Sequence, residues 1–234
     1  MIKILFYIFL FILIIMKQFI VTLILIFSLN NIYGKEWIIK LSIKDIKVFS
    51  SDTLRHPSWF ITKYKLKNAI NLSFFTHKTF VPPYKDFFTF NPNNTFGWPF
   101  VSIDYPHHMG VPNINPHLHF TNGDGIPAIW SKYIFAGTPL LVKDSLPQSI
   151  PHNKFTLATR PRTVFGSHHP DSVMIYISSG IKIVDIPKRL LELGCQNAIN
   201  MDGGGSTFLY KEKEYVYVQT SIKKMRKYPN ILSW

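Results

Sequence analysis

Residues Asn197 to Leu209 read Asn-Ala-Ile-Asn-Met-Asp-Gly-Gly-Gly-Ser-Thr-Phe-Leu, a stretch that few folds can accommodate. An apolar, strand-like run delivers Asp202 to three consecutive glycines, and a second apolar run leaves after Ser206 and Thr207. Glycine has no side chain to pack and loses more backbone entropy on folding than any other residue. Three in succession are therefore expected where a ligand comes close to the main chain. The N–H groups of Gly203, Gly204 and Gly205 could then point at an anion. Asp202 can serve as acid, base or metal ligand, while Ser206 and Thr207 add hydroxyls on the far side. The competing reading is a loose hairpin loop, since Asp-Gly and Gly-Gly are ordinary turn formers. A P-loop is excluded, because no Gly-Lys-Ser/Thr ending follows the glycines.

The rest of the chain divides into short apolar runs. Trp37 to Phe49 alternates loosely and is predicted to be one half-buried strand. After a break at Ser50-Ser51-Asp52, Trp59 to Lys67 alternates apolar and basic residues and reads as a second strand. Ala69 to Phe75 follows as a third, with Asn71 in its middle. A buried amide there needs a partner or a ligand, because an unsatisfied one is costly. Residues 82 to 127 are rich in Pro, Asn, Gly and aromatics, which permits only short strands such as Phe100 to Ile103 and His117 to Phe120. Long irregular connections of this kind often wall a site.

Tyr133 to Ala136 and Leu140 to Val142 flank a turn at Gly137-Thr138-Pro139. Phe155 to Thr159 and Thr163 to Gly166 flank Arg160-Pro161-Arg162, where the proline sends the two arginines in different directions. Arg162 is expected to face the sheet surface, where a guanidinium suits bidentate phosphate binding. The alternative is a surface salt bridge. A turn at His168 to Asp171 precedes strands at Val173 to Ile177 and Ile181 to Val184. Asp185 as N-cap, Pro187 in the first turn and Gly194 as stop predict one short helix. Tyr215 to Thr220 and Asn230 to Trp234 read as a hairpin-like pair. The fold class expected is α+β: a single domain of mixed or antiparallel sheets with few short helices and its site at loop ends.

The 234 residues, 47% of them apolar, suffice for one domain and a leader. Ile2 to Met16 and Phe19 to Leu29 are almost wholly apolar and are separated by Lys17-Gln18. Read from Met16, the second run has a short basic start, an apolar centre and a polar end at Asn30 to Gly34, the layout of a secretory signal. Residues 1–34 are thus expected to be a signal peptide or N-terminal membrane anchor, and 35–234 a domain that is secreted, periplasmic or anchored outside the cytoplasm. A net charge of +13 suits an acidic partner. Lysines cluster only at Lys63 to Lys67 and Lys223 to Lys227, and no basic helix with interleaved aromatics marks a nucleic-acid face.

Cys195 is the only cysteine, so no intrachain disulfide can form, and a buried inert thiol is expected. His107-His108 and the pair His117 and His119 invite a metal. Two residues apart on a strand share a face, but the third ligand of a catalytic zinc set is missing at recognisable spacing. Solvated or substrate-stacking histidines are the better reading. No metal site and no cofactor is assigned, with a divalent cation left open.

Four segments, in order, resemble the phosphodiester glycosidase family. Asn71-Leu72-Ser73-Phe74-Phe75 is similar to its Asn-Gly-Gly-Phe-Phe segment, and Gly137 to Asp144 to its Gly-Gly-Pro-Leu-Leu-Val-Lys-Asp segment. Arg160 to Gly166 is similar to Pro-Arg-Thr-Ala-Ile-Gly, and Asn200 to Thr207 to Asn-Leu-Asp-Gly-Gly-Gly-Ser-Ser/Thr. Tyr228-Pro229-Asn230-Ile231-Leu232 fits the closing strand, so the resemblance runs from residue 65 to 234. Leu72 and Ser73 replace two glycines, and Thr76 stands where the family often has Asp.

The resemblance implies hydrolysis of a sugar-1-phosphate diester to free sugar and a phosphomonoester. The substrate would be a glycosyl phosphodiester or anionic glycan, with no nucleic acid involved and the membrane met only through the N-terminal segment. Asp202 would stabilise or attack the cationic sugar, or activate water. Arg162 and the Gly203 to Ser206 backbone would hold the phosphate. Asn71, Asn200 and Thr207 would orient hydroxyls or water, and Asp104 and Asp124 are candidates for a second carboxylate. Two other functions remain open: a non-catalytic carbohydrate-binding or exopolysaccharide-assembly protein, and a metal-dependent phosphodiesterase.

Overall fold

In the run Val173-Met174-Ile175-Tyr176-Ile177 every side chain is apolar or aromatic, and all five are buried. Val173, Ile175 and Ile177 enter one core cluster, while Met174 and Tyr176 enter another. Such a strand must be covered on both faces. The computed structural model describes residues 34–73, 84–85, 99–104, 117–121 and 131–234. Its strands are β1 (Glu36–Ser42), β2 (Lys47–Arg55), β3 (Ala69–Asn71), β4 (Tyr84–Lys85), β5 (Phe100–Asp104), β6 (His117–Thr121), β7 (Ser131–Ala136) and β8 (Leu140–Lys143). Then come β9 (Leu146–Pro147), β10 (Arg160–His169), β11 (Ser172–Ile181), β12 (Asn197–Asn200), β13 (Phe208–Lys211), β14 (Glu214–Val218) and β15 (Tyr228–Ser233).

They form a six-stranded sheet, β1-β11-β10-β12-β8-β9, a five-stranded sheet, β14-β13-β3-β15-β2, and a four-stranded sheet, β4-β7-β5-β6. Every described pairing is antiparallel. The central core draws Phe165, Ile175 and Ile199 from the first sheet, Ile70, Leu209 and Leu232 from the second, and Val101, Ile103 and Phe135 from the third. Alternate residues feed two outer cores. Val164, Tyr176 and Ala198 pack under helix α2 (Ile186–Glu192), and Ala69, Phe208 and Ile231 pack with Phe60 of helix α1 (Pro57–Tyr64). Two sheets facing each other, each with a short helix on its outer face, make an α+β domain in which β-structure predominates. Among the described residues no helix is long and apolar enough to cross a membrane.

Several sequence expectations change. Trp37 to Phe49 is not one strand: Ser42 caps a short 3-10 turn at Ile43–Asp45, and β2 then runs straight through Ser50-Ser51-Asp52. Trp59 to Lys67 is not a strand either, because α1 occupies Pro57–Tyr64. The His56 side chain accepts from Ser58 N, Pro57 opens the first turn and Lys65 closes the helix in the left-handed region. Capping chemistry outweighs the short alternation, and Pro57 and Phe60, three apart, bury the inner stripe.

β11 carries the first expected strand, Val173 to Ile177, on to Ile181, whereas the second, Ile181 to Val184, gives way to a 3-10 turn at Ile183–Asp185. Phe155 to Thr159 forms a loop. Helix α2 starts and stops where its proline and glycine predict, although Asp185 makes no side-chain cap bond. The expected hairpin of Tyr215–Thr220 with Asn230–Trp234 does not form. β14 pairs with β13, while β15 inserts between β3 and β2. Cys195 is buried, which pushes its thiol up to about 12, so it is inert.

Candidate active site

The glycine run lies where the chain leaves one sheet for the other, since β12 belongs to the six-stranded sheet and β13 to the five-stranded one. The crossing is fixed by main-chain bonds. Met201 N donates to Thr163 O at 2.9 Å, and Asp202 N to Leu72 O at 3.2 Å. Gly204–Ser206 form a 3-10 turn, closed by Ser206 N to Gly203 O and Thr207 N to Gly204 O, each at 3.1 Å. The N–H groups of Gly204 and Gly205 meet no acceptor among the described residues.

Two of the three glycines are required by geometry. Gly204 has φ +58°, in the left-handed region. At Gly203 an added Cβ would stand 2.9 Å from Pro161 O, a main-chain atom that cannot step aside. Gly203→Ala is therefore expected to lower stability by about 1–3 kcal/mol, the cost of overpacking a close backbone approach, read by thermal melting. An unchanged melting temperature would show that the crossing can shift.

Asn71 is fully buried at the end of β3. Its Nδ2 donates to Asp202 O, and its Oδ1 accepts from Thr163 Oγ1 at 2.9 Å and from Phe208 N at 3.3 Å. One amide thus ties β3, β10, the glycine run and β13 together. The sequence reading put Asn71 among the catalytic groups. Its bonds instead make it a positioning residue, because its acceptor serves two protein donors and its donor serves the carbonyl of Asp202.

Asn200, also fully buried, donates from Nδ2 to Thr138 O at 2.6 Å. Its Oδ1 meets no hydrogen-bond partner among the described residues, and the same holds for Ser206 Oγ and Thr207 Oγ1 by distance and angle. Leaving a polar atom buried and unpaired costs about 1–3 kcal/mol. Three such atoms within eight residues of sequence are what a site for a polar ligand or ordered water leaves behind.

Asp202 is partly exposed as a residue, but its carboxyl is largely buried. Burial raises its pKa from 3.8 to about 6, against the opposing pull of the Ser206 hydroxyl, the Gly203 N–H and the Arg226 charge. Gly203 N donates to Oδ1 at 2.9 Å. The Ser206 hydroxyl faces the same carboxyl as a long, loosely aligned donor. Beneath the loop, Tyr228 donates its hydroxyl to Ser206 O at 2.8 Å. Burial, and then the Asp202 charge, raise the pKa of that phenol.

Arg162 departs from expectation. It is 1% exposed in β10, a strand flanked by β11 and β12. Its Nη2 donates to Phe155 O at 3.0 Å and Ala158 O at 2.9 Å, its Nε lies 3.5 Å from Ile181 O, and its guanidinium sits over the Phe155 ring. Burial, and then the neighbouring Arg160, lower its pKa to about 10. Its stem lies under Gly203, with Cδ 3.5 Å from where a Cβ there would be. It therefore supports the crossing from below and holds the loop at 155–158, rather than offering its guanidinium to a phosphate. No ion pair joins it to Asp202 among the described residues.

The cation that Asp202 does feel is Arg226, which lies within the basic segment Lys223 to Lys227. It is exposed, and its Nε lies 3.4 Å from the position of a Cβ on Gly205. The contact between residues 205 and 226 depends on β15 entering the sheet beside β3, a pairing that no local pattern announces.

The remaining candidates lie elsewhere. Asp104 ends β5, and its side chain is outside the described set, as are Asp124, His107 and His108. His117 and His119 both fall on β6, and His119 is exposed. Among the described residues no three His, Cys, Asp or Glu side chains are grouped to hold a metal ion.

The family model for phosphodiester glycosidase matches residues 108–233, which include Arg162, Asp202 and the glycines but not Asn71. No curated protein matches the sequence. Among solved structures, the chain is similar to the catalytic domain of zebrafish N-acetylglucosamine-1-phosphodiester alpha-N-acetylglucosaminidase auto-inhibited by its pro-peptide. The TM-score is 0.64 at 12% identity, over 85% of this chain and 82% of that one. It is also similar to a hypothetical protein from Synechocystis, with a TM-score of 0.59 at 12% identity, over 85% of this chain and 58% of that one. At these identities the likenesses speak for the fold.

Proposed function

Since the chain belongs to the phosphodiester glycosidase family, we propose that it hydrolyses the sugar–phosphate bond of a glycosyl-1-phosphodiester, with Asp202 as the reacting carboxylate. The observation that carries this reading is Asp202, a partly exposed residue whose carboxyl is raised by burial to about 6, beside the buried Ser206 and Thr207 hydroxyls. Cleavage of the anomeric C–O bond leaves positive charge on the sugar ring and sends the electron pair to the phosphate oxygen. An ionised Asp202 stabilises that charge, or takes a proton from the water that attacks the anomeric carbon. Water supplies the hydroxyl of the freed sugar, and the phosphate departs as a monoester. A phosphate is already a good leaving group, so no strong acid is needed on that side. Asn200 Oδ1 and Thr207 Oγ1 suit the orientation of sugar hydroxyls or the attacking water.

Residues 1–34 would carry the domain out of the cytoplasm, as signal peptide or anchor, and nucleic acid has no part in this reading. The test is incubation with a methyl phosphodiester of an alpha-linked amino sugar and with a UDP-sugar, read by mass spectrometry. Free reducing sugar supports the proposal, a sugar phosphate shifts it to a phosphodiesterase, and no product leaves carbohydrate binding without turnover. The carboxyl also fixes a pH dependence. Asp202 must be ionised to act, so kcat/KM is expected to rise with pH through about 6 and to level off above it. A profile flat between pH 4.5 and 8 would remove Asp202 from the reaction.

A further inference from the structure

The geometry points to Arg226 as the anion anchor of this site, holding the phosphate of the substrate across Gly205. This deepens the glycosidase reading and rests on it for the identity of the anion. Arg226 belongs to the segment between the 3-10 turn Ile222–Lys224 and β15, and that segment is pinned. Met225 is buried in the outer core with Phe60, and Tyr228, also buried, bonds to Ser206 O at 2.8 Å. The arginine stem is therefore delivered to the glycine run by neighbours on both sides. Its Nε lies 3.4 Å, and its Cζ and Nη2 3.6 Å, from where a Gly205 Cβ would stand. The guanidinium thus lies against the loop, at ordinary van der Waals distance from that position.

The other well-placed arginines have partners: Arg189 meets Glu36 and Glu192, and Arg162 meets three carbonyls. Arg226 takes part in no hydrogen bond or ion pair among the described residues, although its charge acts on both Asp202 and Tyr228. On the same glycine run the Thr207 hydroxyl is buried with no partner among the described residues. The exposed arginine fork suits two oxygens of a phosphate.

A phosphodiester brought beside an ionised carboxylate is repelled by it, and a cation between the two offsets that repulsion. When the C–O bond breaks, the phosphate gains a second negative charge, so the attraction to Arg226 grows as the reaction proceeds. Such a group raises kcat as well as lowering KM.

The experiment measures inorganic phosphate binding to the full chain by titration calorimetry at low ionic strength, for wild type, Arg226→Gln and Arg226→Lys, with melting curves to confirm folding. The expected result is at least a tenfold weaker affinity in Arg226→Gln and partial recovery in Arg226→Lys. In parallel, the acid limb of the sugar-release profile should move to higher pH in Arg226→Gln, because the charge that lowers the Asp202 pKa is gone. Equal phosphate affinity in wild type and Arg226→Gln, or no phosphate binding by wild type, overturns the proposal. Phosphate binding reports on Arg226 and sugar release on Asp202. Arginine-dependent binding without sugar release would therefore sink the glycosidase reading and leave the anchor standing.

Discussion

Asp202→Asn is expected to cut sugar release by about 10³-fold, the usual cost of losing a carboxylate that acts in the transition state, and at the same time to make the protein melt higher at pH 7.5. Both effects come from one property. In the unfolded chain this carboxyl titrates near 3.8, whereas in the fold it is held at about 6, chiefly by burial. Between those values the unfolded chain has given up a proton that the fold retains. Stability therefore falls as pH rises through the window, and above it the fold carries the whole penalty. A neutral amide escapes the penalty and keeps an oxygen to accept from Gly203 N. The gain should be present at pH 7.5 and gone at pH 3.5. Wild-type turnover in the variant would sink the catalytic assignment. A variant less stable at pH 7.5 would sink the account of its environment.

Asn71→Ala is expected to be the most damaging substitution for the fold, at about 3–5 kcal/mol, or roughly 10 °C in melting temperature for a chain of this size. The change removes one amide and orphans three groups on different segments: Asp202 O, Thr163 Oγ1 and Phe208 N. It also leaves a small void where the two main sheets meet. Asn71→Asp should fare no better. It keeps the acceptor for Thr163 and Phe208, but it loses the donor to Asp202 O and places a charge where nothing is exposed. Sugar release should fall in step with stability, since Asn71 positions the main chain of Asp202 without facing the substrate. A shift of less than 2 °C in Asn71→Ala would refute the view of this amide as the tie between the sheets.

Where chemistry was written into neighbouring residues, the sequence was legible. The Asp202-Gly203-Gly204-Gly205-Ser206 run announced a close approach because three glycines have no use in packing. Helix α2 was legible because its proline and glycine punctuate it. Helix α1 was hidden because Trp59 to Lys67 mimics alternation, while the decisive signal, His56 before Pro57, lies just outside that run. Arg162 was read as a ligand for phosphate because sequence displays a charge and not its surroundings. The strands on either side of β10 are what turn its guanidinium toward carbonyls. Arg226 escaped notice for the opposite reason: it sits in a lysine-rich stretch that looks solvated, and only the folded sheet carries it to Gly205.

The position of β15, between β3 and β2, has a bearing on how the molecule comes into being. A ribosome releases the chain from one end, yet this sheet cannot knit together until residues 228–233 have been made. β2 and β3 must wait as unmated edges, an invitation to mispair with other chains. The same late segment brings Tyr228 and Arg226 to the glycine loop, so the candidate site is completed only after β15 is threaded home.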